Sequence, residues 1–176
     1  MSYDLIRLSF LLSRFGEEAV SKKLETFVPA FKSTNDSFLT KMSIVMEKRS
    51  ECRTCIAFDS ETSKIMGFFA IGFRCLEVSD DCGLSKSMLK KLNRSEDNIA
   101  QAYLLGQLSR AEGYPGFGKT LIDEAINKIR EAQEIVGCRV VRIDCTDELI
   151  GYYQEYRFYY VRKNLHKNLN QMIMLL

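Results

Sequence analysis

The stretch Gly113-Tyr-Pro-Gly-Phe-Gly-Lys-Thr120 decides how this chain is interpreted, because it joins a predicted strand to the strongest predicted helix. The strand covers residues 98–109, and the helix covers residues 119–133, where apolar residues recur at helical spacing. In a glycine-rich turn at the start of a helix, successive backbone N–H groups and the positive helix end can hold phosphate. The stretch therefore predicts a phosphate-binding turn, whatever fold surrounds it.

The same residues also satisfy the Walker A pattern of P-loop nucleotide-binding proteins, with residues 140–144 as the Walker B strand. In a P-loop protein most of a parallel sheet follows the turn, at about 30 residues for each strand-helix-strand unit. Here 56 residues follow Thr120, and a predicted antiparallel hairpin precedes the turn. The order of elements argues against this alternative. A third interpretation is that the glycines only make a tight turn.

The rest of the pattern predicts one α/β domain with a mixed sheet. The polar segment 60–63 is typical of a hairpin connection, and Ser33–Asp36 and Asp147 are predicted to cap helices. The predicted helices cover residues 17–31, interrupted at Pro29, and residues 37–49, 84–92 and 147–156. One predicted strand begins at residue 5, and the others cover residues 52–59, 65–78, 139–144, 158–161 and 171–176.

Length and composition favour a single domain over residues 1–176, with 46% hydrophobic residues to form its core. The formal charge is +2, from 25 basic and 23 acidic residues, so no field of one sign favours a duplex nucleic acid or an anionic membrane. The first residues do not have the pattern of an export signal, and no segment has the roughly 20 apolar residues that span a membrane. We therefore expect a cytoplasmic protein without membrane contact.

Six cysteines raise the question of a disulfide framework or a zinc site, and the pair Cys52 and Cys55 has ligand spacing. Cys75 and Cys82 would complete four sulfur ligands. The pair lies in a predicted strand, where residues three apart point to opposite faces and cannot share one ion. With His166 as the single histidine, we predict reduced cysteines and no metal.

From residue 104 to the C-terminus, the sequence resembles bacterial acetyltransferases of the GNAT superfamily. Leu104-Leu-Gly-Gln-Leu108 is similar to the fourth strand of one subgroup, and Gly116-Phe-Gly118 is similar to the end of the superfamily's pyrophosphate loop. The segment Leu149-Ile-Gly-Tyr-Tyr-Gln-Glu-Tyr-Arg-Phe158 resembles a segment with a recurrent tyrosine, which corresponds to Tyr153. Residues 31–39 resemble, more weakly, a segment of related sequences that include toxin-type members.

The resemblance implies a GNAT-like α/β (α+β) fold, in which helices flank a mixed, mostly antiparallel sheet of six or seven strands. The fourth and fifth strands, at residues 104–108 and 140–144, are expected to be parallel neighbours that splay apart. The sequence departs from the family pattern in three ways, at Pro115, at Arg157 and in a glycine loop that is about two residues shorter than the common form. Pro115 stands where a glycine is expected and has no N–H to donate, and Arg157 replaces the glycine before the next strand.

The implied activity is acetyl transfer from acetyl-CoA to a primary amine in a ternary complex, without a metal. Tyr153 is the expected general acid, with Tyr152 and Tyr156 as competing positions, and a backbone N–H near Leu108 is expected to polarise the thioester carbonyl. The residues expected to hold the coenzyme are Gln107, Leu108, Ser109, Arg110, Gly113, Tyr114, Gly116, Phe117, Gly118, Lys119 and Thr120.

No general base is evident, because Gln107 occupies the strand position at which some relatives carry an acid, and an amide does not accept a proton at neutral pH. Water relayed to Glu112, Asp144 or Asp147 is an open alternative. The acceptor amine is also open: members of the superfamily modify small molecules, proteins and, in the toxin branch, aminoacyl-tRNA. A homodimer is compatible with the sequence, and so is a catalytically idle acyl-CoA-binding module.

Overall fold

A computed structural model describes residues 2–31, 37–92, 94–164 and 168–176. Within these residues the chain forms seven strands and six α-helices. The strands are β1 (Tyr3–Arg7), β2 (Arg53–Asp59), β3 (Ile65–Glu77), β4 (Ile99–Arg110), β5 (Val140–Cys145), β6 (Tyr159–Asn164) and β7 (Leu169–Leu175). The helices are α1 (Leu8–Phe15), α2 (Glu17–Leu24), α3 (Ser43–Lys48), α4 (Lys86–Lys91), α5 (Phe117–Val136) and α6 (Ile150–Glu155).

The described strands form one sheet in the order β1-β2-β3-β4-β5-β7-β6. Strands β1 and β2, β2 and β3, β5 and β7, and β6 and β7 pair antiparallel, whereas β4 and β5 are parallel. The mixed, mostly antiparallel sheet is confirmed, and it is not the all-parallel sheet that the P-loop alternative requires. The parallel register joins Tyr103–Leu105 to Val141–Ile143 and stops before either strand ends, in agreement with the predicted splay.

Helix α5 confirms the strongest sequence prediction, and it begins two residues earlier than expected. Its apolar stripe is buried, while Asp123 and Arg130 are exposed on the other side. The buried residues of the stripe are Leu121, Ile122, Ala125, Ile126 and Ile129. Gly137 ends the helix with φ +51°, a left-handed conformation that glycine adopts without strain.

Several predicted boundaries are wrong. Helix α1 was not predicted, because Leu8 and Leu11 are buried while Phe10 and Phe15 are exposed, so the apolar residues do not define one face. Helix α2 ends at Leu24, before Pro29. The predicted helix 37–49 starts with a π-helical turn at Phe38–Met42 before α3. The predicted cap at residues 33–36 lies outside the described residues.

Asp147 is not the cap of the last helix. A 3₁₀ turn, Asp147–Leu149, precedes α6, and its N-cap is Thr146, which makes no side-chain capping bond. The Asp147 carboxylate instead accepts hydrogen bonds from Asn170 Nδ2 at 2.6 Å and from Lys163 Nζ at 3.0 Å. Lys163 on β6 and Asn170 on β7 therefore occupy the carboxylate oxygens that a capping bond would need.

The described chain forms two compact units, residues 1–72 with 106–128 and residues 73–105 with 129–176. The first unit has an apolar core built from α1, α2, the 38–44 segment and the inner faces of β2 and β3, with Leu8, Leu24, Leu39 and Ile56 fully buried. The largest fully buried side chains of the second unit are those of Leu76, Ile129, Ile143 and Phe158. None of the described helices is both long and apolar enough to cross a membrane.

Candidate functional site

The glycine-rich turn lies at the surface between β4 and α5, as predicted. Gly116 has φ +81°, a left-handed conformation that side chains rarely adopt. A Cβ atom built on Gly113 or on Gly116 would meet no atom within 4 Å. The backbone at these two glycines is therefore open to close approach by a ligand, and the start of a 20-residue helix lies directly behind it.

The turn already uses some of the amides that were predicted to bind phosphate. The N–H groups of Tyr114, Phe117 and Lys119 donate to the carbonyl groups of Ala111, Tyr114 and Gly116, each at 3.3 Å. These bonds are longer than the usual 2.9–3.0 Å and therefore weak. For the amides of Gly113 and Gly116, the described part of the chain provides no backbone acceptor, so these two amides are the best placed to receive an anion.

The chain that leads into the turn is held on both sides. Ala111 N–H donates to Met66 O at 2.8 Å, and Glu112 N–H donates to Val28 O at 3.0 Å. Gly67 lies directly beneath: a Cβ there would lie 2.6 Å from Leu121 Cδ1 and 2.8 Å from Ser109 O. The close packing of β3 against β4 and α5 thus requires glycine at this position. Sequence analysis missed this residue, although an isolated glycine in a strand is the signal for such packing.

The predicted binding residues on β4 are half-buried. The Arg110 guanidinium lies over the Phe31 ring, 5.0 Å from its centroid, and donates to Ala111 O at 3.2 Å, so it does not extend freely towards the turn. Lys119 is exposed, and Thr120 is half-buried on the first turn of α5. All eleven predicted binding residues, from Gln107 to Thr120, belong to the first unit.

Tyr153 belongs to the second unit, on α6, and is 9% exposed. Its ring packs edge-to-face against Phe158, with 5.8 Å between centroids, and against Tyr152, at 5.4 Å. Burial, with the negative potential of Cys145 and Tyr156, raises the pKa of Tyr153 to about 12. Its hydroxyl is therefore protonated at neutral pH and can donate a proton or a hydrogen bond.

The competing tyrosines interact with each other. The rings of Tyr152 and Tyr156 lie 5.2 Å apart, and burial together with a hydrogen bond to Tyr156 raises the pKa of Tyr152. Tyr153 is the most buried of the three tyrosines, since Tyr152 and Tyr156 are half-buried.

The three carboxylates named as water relays differ in their surroundings. Both oxygens of Asp144 accept hydrogen bonds from the Arg142 guanidinium, at 2.8 and 2.7 Å. The hydrogen bond from Asn170, followed by Lys163, lowers the pKa of Asp147, which makes it a weaker base. Glu112 is exposed beside the turn. The contact with Arg142 and the lowered pKa of Asp147 argue against Asp144 and Asp147, respectively, as the general base.

None of the six cysteines forms a disulfide bond, and Cys52, Cys55, Cys138 and Cys145 are buried. Cys52 lies just before β2, whereas Cys55 lies within it. Within residues 2–31, 37–92, 94–164 and 168–176, no group of three or more histidine, cysteine or acidic side chains is arranged to hold a metal ion.

No protein-family profile and no curated protein matches this sequence, but solved structures resemble its fold. AtaT in complex with acetyl-methionyl-tRNAfMet has a TM-score of 0.75 and 17% identity, over 99% of this chain and 95% of that chain. A tyrosine-to-phenylalanine mutant of KacT has a TM-score of 0.76 and 14% identity, over the same shares. AtaTR bound with acetyl-CoA has a TM-score of 0.69 and 15% identity, over 98% and 92%. This chain therefore has the fold of the AtaT and KacT structures, which is the GNAT fold that its sequence resembled.

Proposed function

We propose that this chain is an acetyl-CoA-dependent N-acetyltransferase of the bacterial cytoplasm, which moves the acetyl group to a primary amine. One observation carries the proposal: an open glycine turn, with Gly116 at φ +81°, lies between β4 and α5 in a fold whose solved relatives include one bound with acetyl-CoA. The amides of Gly113 and Gly116 and the start of α5 bind the pyrophosphate. The other predicted residues from Gln107 to Thr120 line the coenzyme.

Catalysis in this proposal needs two contributions from the chain. The backbone N–H near Leu108 polarises the thioester carbonyl, an effect often worth about 3 kcal/mol. The amine attacks the carbonyl carbon, the carbon–sulfur bond breaks, and the amine loses one proton while the sulfur gains one. Tyr153 is the general acid for the departing sulfur. A thiol has an ordinary pKa of about 8.5, so a hydroxyl with a pKa of about 12 stabilises the thiolate first by donating a hydrogen bond.

The proposed acceptor to be tested first is aminoacyl-tRNA, because AtaT is the relative that was solved with acetyl-methionyl-tRNAfMet. Small-molecule and protein amines are the alternatives, and a homodimer is compatible with the proposal. Pro115 removes one amide from the turn, but Gly113 and Gly116 on either side remain open. That arrangement supports coenzyme binding by this chain. A catalytically idle module would bind acetyl-CoA equally well and is separated from an enzyme only by turnover.

Thermal unfolding with acetyl-CoA and with ATP tests the proposal. A ligand at 100 times its Kd stabilises the folded state by about 2.7 kcal/mol, so acetyl-CoA is expected to raise Tm and ATP is not. Gly116→Asp is expected to abolish the shift, because a carboxylate would face the pyrophosphate. Gly116→Asn is the matched control, since asparagine has the same size and also tolerates positive φ, and it should retain part of the shift.

The two Gly116 variants separate charge from bulk. An equal shift for wild type, Gly116→Asp and Gly116→Asn would show that the coenzyme does not bind at this turn. A shift with ATP and none with acetyl-CoA would refute the transferase. Incubation with acetyl-CoA and aminoacyl-tRNA then distinguishes an enzyme from an idle module, by the appearance of N-acetylated product and free thiol.

A further inference from the structure

Two residues at the adjacent ends of β1 and β2 contact the glycine turn and the start of α5. Tyr3 and Asp59 are partners in the antiparallel register of these strands. Both side chains are half-buried, and both belong to the first unit with the turn. In sequence, Asp59 lies 55 residues from Tyr114, and Tyr3 lies 121 residues from Glu124. We refer to Tyr3 and Asp59 as the strand-end pair.

Asp59 contacts the turn just before its open glycine. Its Oδ2 accepts a hydrogen bond from the Tyr114 hydroxyl at 3.2 Å. Its Oδ1 accepts hydrogen bonds from the amides of Glu61 and Thr62 at 3.0 and 2.8 Å, within the β2–β3 hairpin turn. The bond from the Thr62 amide, the largest cause, lowers the pKa of Asp59. The carboxylate is therefore charged at neutral pH, and the hairpin amides hold it in position independently of its bond to Tyr114.

Tyr3 contacts the chain just after the open glycine. Its ring packs edge-to-face on Phe117, with 5.2 Å between centroids and an interplanar angle of 81°. Its hydroxyl donates a hydrogen bond to Glu124 Oε1 at 2.7 Å, two turns further along α5. Phe117 is the first residue of α5 and is 7% exposed. Tyr3 thus fixes the position and the direction of the helix start.

We propose that the strand-end pair positions the glycine turn for the pyrophosphate of the coenzyme, and this inference rests on the proposed function. The pair holds Tyr114 and Phe117, the residues on either side of Pro115 and Gly116. Between those two residues, Gly116 has no neighbour within 4 Å of a built Cβ that would restrain it. A turn fixed at both ends loses less conformational freedom when it binds an anion, so affinity improves without any direct contact to the ligand. Tyr3 and Asp59 are positioning residues.

The test uses Tyr114→Phe, which keeps the ring and removes only the hydrogen bond to Asp59, and Asp59→Asn, which keeps an acceptor oxygen for the hairpin amides. We expect the Kd and KM for acetyl-CoA to rise about 3- to 10-fold, with kcat changed less than about 2-fold, because the lost hydrogen bond lies within the protein and only part of its effect reaches the coenzyme. The double variant should bind acetyl-CoA as tightly as the more strongly affected of the two single variants, because both changes remove the same contact.

S-acetylpantetheine, which lacks the pyrophosphate, is the discriminating donor. Its kcat/KM for thiol release should be the same in wild type and in Asp59→Asn. Tyr159→Phe is the matched control for loss of a tyrosine hydroxyl, because Tyr159 is 50% exposed on β6 in the second unit. Its acetyl-CoA affinity should equal that of wild type.

Two results would overturn this inference and leave the proposed function intact. The first is unchanged acetyl-CoA affinity in Tyr114→Phe and Asp59→Asn. The second is a loss of kcat/KM with S-acetylpantetheine as large as that with acetyl-CoA, which would indicate a general structural defect. Wild-type protein that does not bind acetyl-CoA at all would refute the proposed function, and the role of the strand-end pair with it. The wild-type titration therefore distinguishes the two failures.

Discussion

Tyr153 is the most buried of three neighbouring tyrosines at the end of α6. Three tyrosines lie within five positions on and after α6, and the sequence does not separate them. In the structure, Tyr152 is engaged with Tyr156, whereas Tyr153 is nearly buried and packs on Phe158. Burial disfavours the charged phenolate, so the Tyr153 hydroxyl keeps its proton at neutral pH. The residue is therefore suited to donate and not to act as a base.

We expect Tyr153→Phe to lower kcat by roughly 10- to 1000-fold with little change in acetyl-CoA affinity, because the ring packing is kept and only the donor is lost. In wild type, the pKa of Tyr153 is raised to about 12, so the acid form is lost only as the pH rises through that value. The rate should therefore show no decline from this group between about pH 7.5 and 9.5.

Steady-state kinetics with the identified amine provide both measurements, and Tyr156→Phe is the control, expected to have a mild effect. A Tyr153→Phe variant with wild-type kcat would show that the sulfur receives its proton from another source. A decline in the wild-type rate with an apparent pKa near 10, the ordinary value for tyrosine, that disappears in Tyr153→Phe would instead show that the pKa is not raised.

At the scale of single elements, the connection between α6 and β6 explains the departure at position 157. Arg157 has φ +64°, so it adopts the left-handed conformation for which related sequences use glycine. Its N–H donates to Gln154 O at 2.9 Å, and the Phe158 N–H donates to Tyr153 O at 3.1 Å, which closes the helix end. The arginine therefore preserves the backbone geometry of the family pattern and bears conformational strain.

Arg157→Gly is expected to stabilise the protein by about 0.5–1 kcal/mol. Replacing a left-handed residue that has a side chain removes strain and stabilises the folded state by roughly 1–2 kcal/mol. The greater freedom of glycine in the unfolded chain offsets about 0.5–1 kcal/mol of this gain. Urea unfolding measures the change. Arg157→Ala is the matched control, because it removes the same side chain and keeps the strain, so equal stability of the two variants would contradict the explanation.

The sequence predicted the type of most elements, because local periodicity and turn residues determine it. Helix α5, the β2–β3 hairpin and the short helix α4, capped by Ser85, are confirmed. Boundaries failed where tertiary contacts override local preference. Helix α1 follows β1 without a connecting loop, and its apolar residues include exposed and buried ones, so no periodic pattern marks it.

At the scale of the whole molecule, we propose that residues 1–176 fold as a single domain although the chain forms two compact units. The chain passes from one unit to the other inside β3, inside β4 and inside α5. Either unit on its own would need these three elements to be cut in the middle, which would leave their backbone hydrogen bonds unpaired. Neither unit is therefore expected to be stable alone.

We expect one cooperative unfolding transition in urea, with coincident curves from far-UV circular dichroism and from tyrosine fluorescence, since the chain has no tryptophan. Stabilisation by acetyl-CoA should shift both curves together. Two separate transitions, or only one curve that responds to acetyl-CoA, would show that the units fold independently.

The sequence by itself determined the glycine turn between a strand and a helix, the tyrosine cluster after β5 and the mixed order of elements. These features depend on neighbours along the chain: glycine for positive φ, apolar periodicity for the helix, and short polar segments for hairpins. They were sufficient to predict one α/β domain with a mixed sheet and a phosphate-binding turn at Gly113–Thr120, whereas the GNAT fold was predicted from the resemblance.

Only the tertiary structure decided which groups surround that turn. Asp59 and Tyr3 reach Tyr114 and Phe117 from strands that lie far away in sequence, and Gly67 allows β3 to pack closely on Ser109 and Leu121. The structure also assigned Asp147 to Asn170 and Lys163 and not to a helix end. Such contacts depend on strand register and on the packing of a helix against the sheet, and no local pattern in the sequence encodes either.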